Sequence, residues 1–174
     1  ITQIIKGVTK DAVFRKGHVV TEEDIPVLLS VGKDNVYIWE KGETRLHENE
    51  AAEILREMCQ GEYMHPTPVK EGKIELVADI DGLLKVDSDK MKKINGMGEL
   101  MIASRHGNFA VEKGDKLAGT RIIPLVIERE KMEQAKAVCE GEPILELKPF
   151  VHKKVGIVTT GNEVYYHRIE DTFT

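Results

Sequence analysis

The apolar residues of this chain change their spacing partway along, and that change limits the folds open to it. In "ENEAAEILREMC", Ala51, Ile54, Leu55 and Met58 fall at helical spacing and form one apolar face. From Lys73 the period becomes two: "KIELVAD" and "LLKVD" alternate apolar and polar residues, as half-buried strands do. Asp81-Gly82 between them predicts a hairpin turn. "YMHPTPVKEG", with Pro66 and Pro68, separates the two regimes and reads as a linker. Strand and helix do not alternate regularly, which argues against a doubly wound parallel sheet in the body of the chain. The expected class is mixed α/β, with hairpin-rich β regions and short helices.

Local signals fill in the rest. Residues 1–20 predict strand, turn, strand, with Lys16-Gly17 as the turn. Thr21 is a helix N-cap, with Asp24 in the capping-box position, and "DIPVLLSVG" runs as a helix to Gly32. "NVYIWE" predicts a strand, and Gly61 can end the 48–59 helix. "SDKMKKIN" predicts a helix capped by Ser88, and "REKMEQAKAVC" another helix. "ELMIASRHGNFAVEKGDKLAG" predicts two strands around a polar loop. "TRIIPLVIE" is a strand marked by Pro124, and "PILELKPF" a further strand. No repeat is evident.

Composition then excludes several classes. With 174 residues, 41 % hydrophobic and 32 % charged, a globular core is feasible. Aromatics are 5 %, so that core is mainly aliphatic. A net charge of -5 argues against nucleic acid as the main partner. No apolar run is long enough to span a membrane, and no signal-peptide pattern appears. Cys59 and Cys139 lack metal-finger spacing, and each ends a helical segment. They read as reduced, packed thiols in a cytoplasmic protein.

Two stretches could carry chemistry. In "VGIVTTGNEV", a buried strand, Val155 to Val158, runs into Thr159, Thr160, Gly161, Asn162 and Glu163. Two hydroxyls, a glycine that admits close approach, an amide and a carboxylate suit a ligand loop. The same residues would also serve a plain strand-to-loop turn. In "SRHGNF", Arg105 and His106 are candidates to clamp an anion, Arg105 through its planar fork. The alternative is a solvated loop. Other stretches give weaker signals. His47, Glu48, Glu50 and Glu53 lack the His-Glu-x-x-His spacing of a metal site and suit a helix start. His18 and His65 read as exposed and linker residues, and His152 and His167 have no partner at ligand spacing. Trp39 could stack on a planar ligand ring but suits core or interface packing better.

"KKVGIVTTGNEV" resembles the opening strand and loop of molybdopterin-binding domains of the gephyrin-like molybdopterin molybdenumtransferases. "FRKGHVVTEEDIPVLLSVGKDNVYIW" is similar to the segment those proteins place before that domain. "SRHGNFAVEKGDKLAGTRIIPLVIE" looks more like a subgroup of bacterial molybdopterin-binding proteins. The resemblance implies molybdopterin binding in molybdenum cofactor biosynthesis or handling, with molybdate insertion as a transferase activity of a longer protein. It implies a cofactor loop at Thr159, Thr160, Gly161, Asn162 and Glu163. The partners implied are molybdopterin or its adenylylated form, a divalent cation such as Mg in the longer protein, and a second copy in a homodimer. Nucleic acid and membrane are not expected.

The family's domain continues far beyond its first strand, and this chain starts at Ile1. The chain therefore reads as an N-terminal piece, inactive alone, with a mixed α/β region at 1–65, a β-rich α+β region at 66–152 and the start of the binding domain at 153–174. Asn162 stands where the family commonly has Asp, which weakens the expectation of metal insertion and leaves pterin or phosphate binding intact. Two other readings stay open: a non-catalytic carrier or sensing module, and a structural dimerisation region.

Overall fold

A computed structural model of the chain describes residues 2–5, 9–14, 18–36, 42–158 and 160–170. The chain divides into two compact units, Ile1–Lys41 and Gly42–Thr174. The class is the expected one, mixed α/β with antiparallel sheets and short helices.

In the first unit, β1 (Thr2–Ile5) pairs antiparallel with β2 (Thr9–Ala12), Thr2 opposite Ala12 and Ile5 opposite Thr9. The strands thus come earlier than a turn at Lys16-Gly17 would place them; that turn lies outside the described residues. Thr21 starts a 3-10 turn, Glu22–Asp24, that leads into α1 (Ile25–Ser30). The capping box forms as expected, with the Thr21 amide donating to Asp24 Oδ2 at 2.9 Å. Asp24 also meets His18 Nε2 at 2.7 Å. The Thr21 backbone bond first, then the His18 bond, holds the Asp24 carboxyl below the usual range. Gly32 follows the helix at φ +73°, the left-handed conformation of a helix-ending glycine. Most of the expected strand "NVYIWE", including Trp39, lies outside the described residues.

The second unit is built on two similar starts. β3 (Arg45–His47) leads straight into α2 (Glu48–Cys59), and β10 (Val126–Glu128) leads straight into α4 (Arg129–Cys139). β3 and β10 pair antiparallel, Leu46 opposite Ile127. Each strand's approach supplies the carbonyl that the other helix needs at its first free amide. The Glu48 amide donates to Leu125 at 2.9 Å, and the Arg129 amide to Thr44 at 2.8 Å. His47 Nδ1 caps α2 by accepting from the Asn49 amide at 3.2 Å, and Glu50 completes the capping box. These acids serve the helix start, as their spacing suggested.

Two sheets complete the unit. One is four-stranded in the order β4 (Met64–Pro66), β5 (Lys73–Ala78), β9 (Lys116–Ile122), β7 (Leu100–Ser104). The other is three-stranded in the order β11 (Leu145–Pro149), β6 (Gly82–Val86), β8 (Phe109–Val111). Their inner faces share one aliphatic core with α2, α3 (Ser88–Asn95) and α4, centred on Leu55, Ile74, Leu76, Leu84, Leu117 and Leu145. Thr120 is buried in it and donates its hydroxyl to the Ile74 carbonyl, which meets its polar demand.

Several local expectations change. The proline-containing segment 63–72 is not a linker. β4 holds the edge of the four-stranded sheet, where Pro66 costs no inner ladder bond, and the sheet runs through residues 65 and 66. Asp81-Gly82 does not close a hairpin, because β5 and β6 belong to different sheets. Gly82 is needed instead for close approach: a Cβ there would stand 2.6 Å from the Lys148 carbonyl oxygen. α3 is capped by Asp87, which accepts from the Lys90 amide at 2.9 Å, rather than by Ser88. "TRIIPLVIE" breaks at Ile123-Pro124-Leu125 into β9 and β10. β7 and β8, on either side of "SRHGNF", join opposite sheets. Gln60, not Gly61, caps α2.

Both thiols are free and buried, at the C-terminal ends of the packed helices α2 and α4. Burial, then the nearby Cys139, pushes the Cys59 thiol up to about 12, and burial also raises Cys139. Only the thiolate alkylates at a useful rate. We therefore expect neither cysteine to react with iodoacetamide at pH 8 in the native protein and both to react in denaturant. Fast native labelling of Cys59 would contradict the close packing of α2 against α4.

Candidate functional site

The sequence places a ligand loop at 159–163 behind a buried strand. No strand forms at 155–158, and the apolar residues there are open: Val155 is 80 %, Ile157 64 % and Val158 87 % exposed. The cause is the lack of a neighbour. Among the described residues no strand offers its edge to this segment, and an extended chain without a ladder partner leaves its amides to water.

The loop itself is partly visible. Thr159 lies outside the described residues, and Thr160 is exposed. Gly161 sits at φ +152°, a conformation that side-chain-bearing residues rarely adopt, and it starts a single turn of helix, α5 (Asn162–Tyr165). The Tyr165 amide closes that turn on the Gly161 carbonyl at 2.9 Å. The Glu163 carboxylate folds back over Gly161; a Cβ on residue 161 would stand 2.5 Å from Glu163 Oε1. The Glu163 carbonyl accepts the Arg168 amide at 2.8 Å. Thr160, Asn162 and Glu163 thus share one exposed corner. Its hydroxyl, amide and backbone groups suit a polar heterocycle or a phosphate along one wall. They do not suit a divalent cation unaided. Asn162 brings a neutral amide, Glu163 a single carboxylate, and among the described residues no three His, Cys, Asp or Glu side chains gather as metal ligands.

Arg105 is committed elsewhere. Its guanidinium meets both oxygens of Asp115, Nη1 to Oδ2 and Nη2 to Oδ1, each at 2.9 Å, and Nε donates to the Lys116 carbonyl. The fork that the sequence assigns to an anionic ligand therefore ties the β7–β9 connection together. His106 bonds the Gly107 carbonyl through Nδ1 at 2.8 Å and meets Phe109 edge-on at 5.3 Å. The contacts of Arg105 and His106 thus lie within their own loop and the start of β9, with Gly107, Phe109, Asp115 and Lys116. His65 pairs with Asp79 at 2.5 Å. His152 and His167 are exposed.

Sequence patterns do not single out a cleft that the fold creates. It has a volume of about 490 Å³ and opens beside the four-stranded sheet, lined by Thr67, Pro68, Lys70, Glu71, Lys73, Glu75, Lys116 and Arg121. Lys70 and Lys73 exchange both backbone bonds at 3.0 Å around Glu71 (φ +52°) and Gly72 (φ +67°), a tight type I′ hairpin. The Glu-Gly pair between two lysines was the available signal. Glu75 bridges two ammoniums, Lys73 Nζ at 2.7 Å and Lys116 Nζ at 2.6 Å. Lys116 first, then Lys73, lowers its carboxyl to about 2. A depressed carboxyl stabilises the fold above its unfolded value and loses that contribution as pH falls through the folded one. The Glu75 contribution is thus present above about pH 4.5 and is lost towards pH 2. In an NMR titration Glu75 should show a midpoint near 2, and Lys116→Ala should raise it. A midpoint near 4.5 in the parent protein would contradict the bridge.

Residues 1–40 match a family described as a domain of unknown function (DUF8806), a match that ends one residue short of the boundary between the two units. No curated protein and no solved structure matches the chain. No helix among the described residues is long and apolar enough to cross a membrane.

Proposed function

We propose that this chain belongs to a cytoplasmic molybdopterin-binding protein of cofactor biosynthesis or handling, and that the 159–163 loop forms one wall of its pterin site. The observation that carries the reading is the exposed run Val155–Val158 directly before Gly161. Fully burying a Val or Ile side chain is worth about 1.5–3 kcal/mol, so three such residues left in water mark a surface meant to be covered. In an α/β sheet that cover would make 155–158 a buried strand and turn the loop into the crevice at its carboxyl end, where ligands collect. The resemblance of "KKVGIVTTGNEV" to molybdopterin-binding domains supplies the ligand. Molybdopterin or its adenylylated form would meet the Thr160 hydroxyl and the Gly161 backbone.

Asn162 favours carriage of the cofactor over molybdate insertion, since its amide hydrogen-bonds but replaces no carboxylate at a cation. A structural dimerisation role has no comparable support. Both the isolated chain and the intact protein that carries this sequence should be titrated with molybdopterin. One wall buries little of a small ligand, so the isolated chain should bind weakly and the intact protein tightly. In the intact protein, Gly161→Ala should weaken binding at least tenfold, because the residue must hold φ +152°. Parent-like affinity in Gly161→Ala, or equal tight binding by the isolated chain, would count against the loop as one wall of a larger site. Molybdate-dependent cofactor formation that Asn162→Asp leaves unchanged would instead favour insertion.

A further inference from the structure

The cleft beside the four-stranded sheet has its own logic. Lys70 stands opposite Lys73 across the tight turn, and Lys73 stands opposite Arg121 across the β5–β9 ladder. All three side chains line the same cleft. Directly opposed residues lie about 4.5–5.5 Å apart at Cα, and like charges so placed destabilise a sheet. The rung continues to Met101 on β7, so no acid sits on it. Glu75, two residues along β5, is occupied by Lys73 and Lys116. Lys70 and Arg121 have no ion-pair partner among the described residues. The lining sets four cations against Glu71 and Glu75, an excess of positive charge on a chain of net charge -5. Gly119, opposite Glu75, has nothing within 4 Å of where a Cβ would stand, which leaves that part of the outer sheet face open.

We propose that the Lys70–Lys73–Arg121 rung binds a small polyanion with at least two phosphoryl groups. Arg121 offers a planar fork to one phosphoryl, and Lys70 a point charge to the other. Lys73, held by Glu75, stands between them. The Thr67 hydroxyl accepts the Glu75 amide at 3.0 Å and keeps its own proton for a phosphoryl oxygen. The volume lies in the roughly 300–1,000 Å³ range of small-molecule sites. The net charge of -5 disfavours a long polyanion such as nucleic acid.

The probe is inorganic pyrophosphate, titrated calorimetrically into the intact protein at fixed ionic strength, with sulfate as control. Saturable binding of pyrophosphate and none of sulfate is expected, weakened at least tenfold by Arg121→Gln and by Lys70→Gln. Without ligand at low salt, both variants should melt above the parent, because each removes like-charge repulsion. That second readout also confirms that they fold. Any of four results would overturn the proposal: no saturable binding, equal binding of sulfate, parent-like affinity in both variants, or displacement of pyrophosphate by a single-stranded oligonucleotide at lower concentration. Variants that melt below the parent without ligand would refute the repulsion on which it rests.

Discussion

Gly61→Ala should cost the second unit about 1–3 kcal/mol, the usual range for forcing extra volume into a packed site. The added Cβ would stand 2.3 Å from the Leu145 carbonyl oxygen and 3.4 Å from its carbon. These are backbone atoms, so no side chain can swing aside. β11 would have to move, yet Leu145 and Leu147 bury their side chains in the core and β11 pairs with β6 along its length. Gly119→Ala is the control, since a Cβ there meets nothing within 4 Å. Denaturant midpoints should separate the two variants clearly. Equal midpoints would mean that the turn after α2 does not press on β11.

Leu55→Ala should have the larger effect, about 2–5 kcal/mol, as for other buried leucines. Leu55 is fully buried at the middle of α2, on the face that packs against β5, β9 and α4. Its removal opens a cavity among atoms held from several sides, and partial relaxation leaves much of that cavity unfilled. Glu57→Ala, two residues on, removes only an exposed contact with Arg56 and should stay within about 0.5 kcal/mol. If Leu55→Ala unfolds no more easily than Glu57→Ala in urea, α2 is not the centre of the core.

These two sites differ in how far sequence foretells them. The apolar stripe of α2 repeats every three to four residues, so Ala51, Leu55 and Met58 declare a buried face locally. Helix bounds at 48–59 and 129–139 follow from the same period. Strand pairing is not local in this way. Alternation in "KIELVAD" says that β5 has a buried face, but the ladder to β9 joins residues far along the chain, and no spacing within β5 names that partner. Asp81-Gly82 carries a hairpin signature, yet the chain uses it to pass from one sheet to the other, with Gly82 beneath the Lys148 carbonyl. Gly61 likewise suggests a helix stop, whereas its role is set by β11, which approaches from 84 residues downstream at Leu145.

The candidate sites divide along the same line. Arg105 has the chemistry of an anion clamp, and only the fold reveals that Asp115 takes its fork. The Lys70–Lys73–Arg121 rung needs both a tight turn and a long-range register before three separate cations become neighbours. The loop at 160–163 stands out in sequence through its resemblance, and the fold adds the exposure of the segment before it and the unusual backbone of Gly161.

The pterin reading is tested most directly by hydrogen exchange on the intact protein that carries this sequence, with and without molybdopterin. The amides of Val155 to Val164 should exchange more slowly when the pterin is bound, with the change centred on Thr160 and Gly161, while α2 and α4 keep their protection. Unchanged exchange across 155–164 at saturating molybdopterin, with protection appearing elsewhere, would contradict the assignment of this loop to the pterin site.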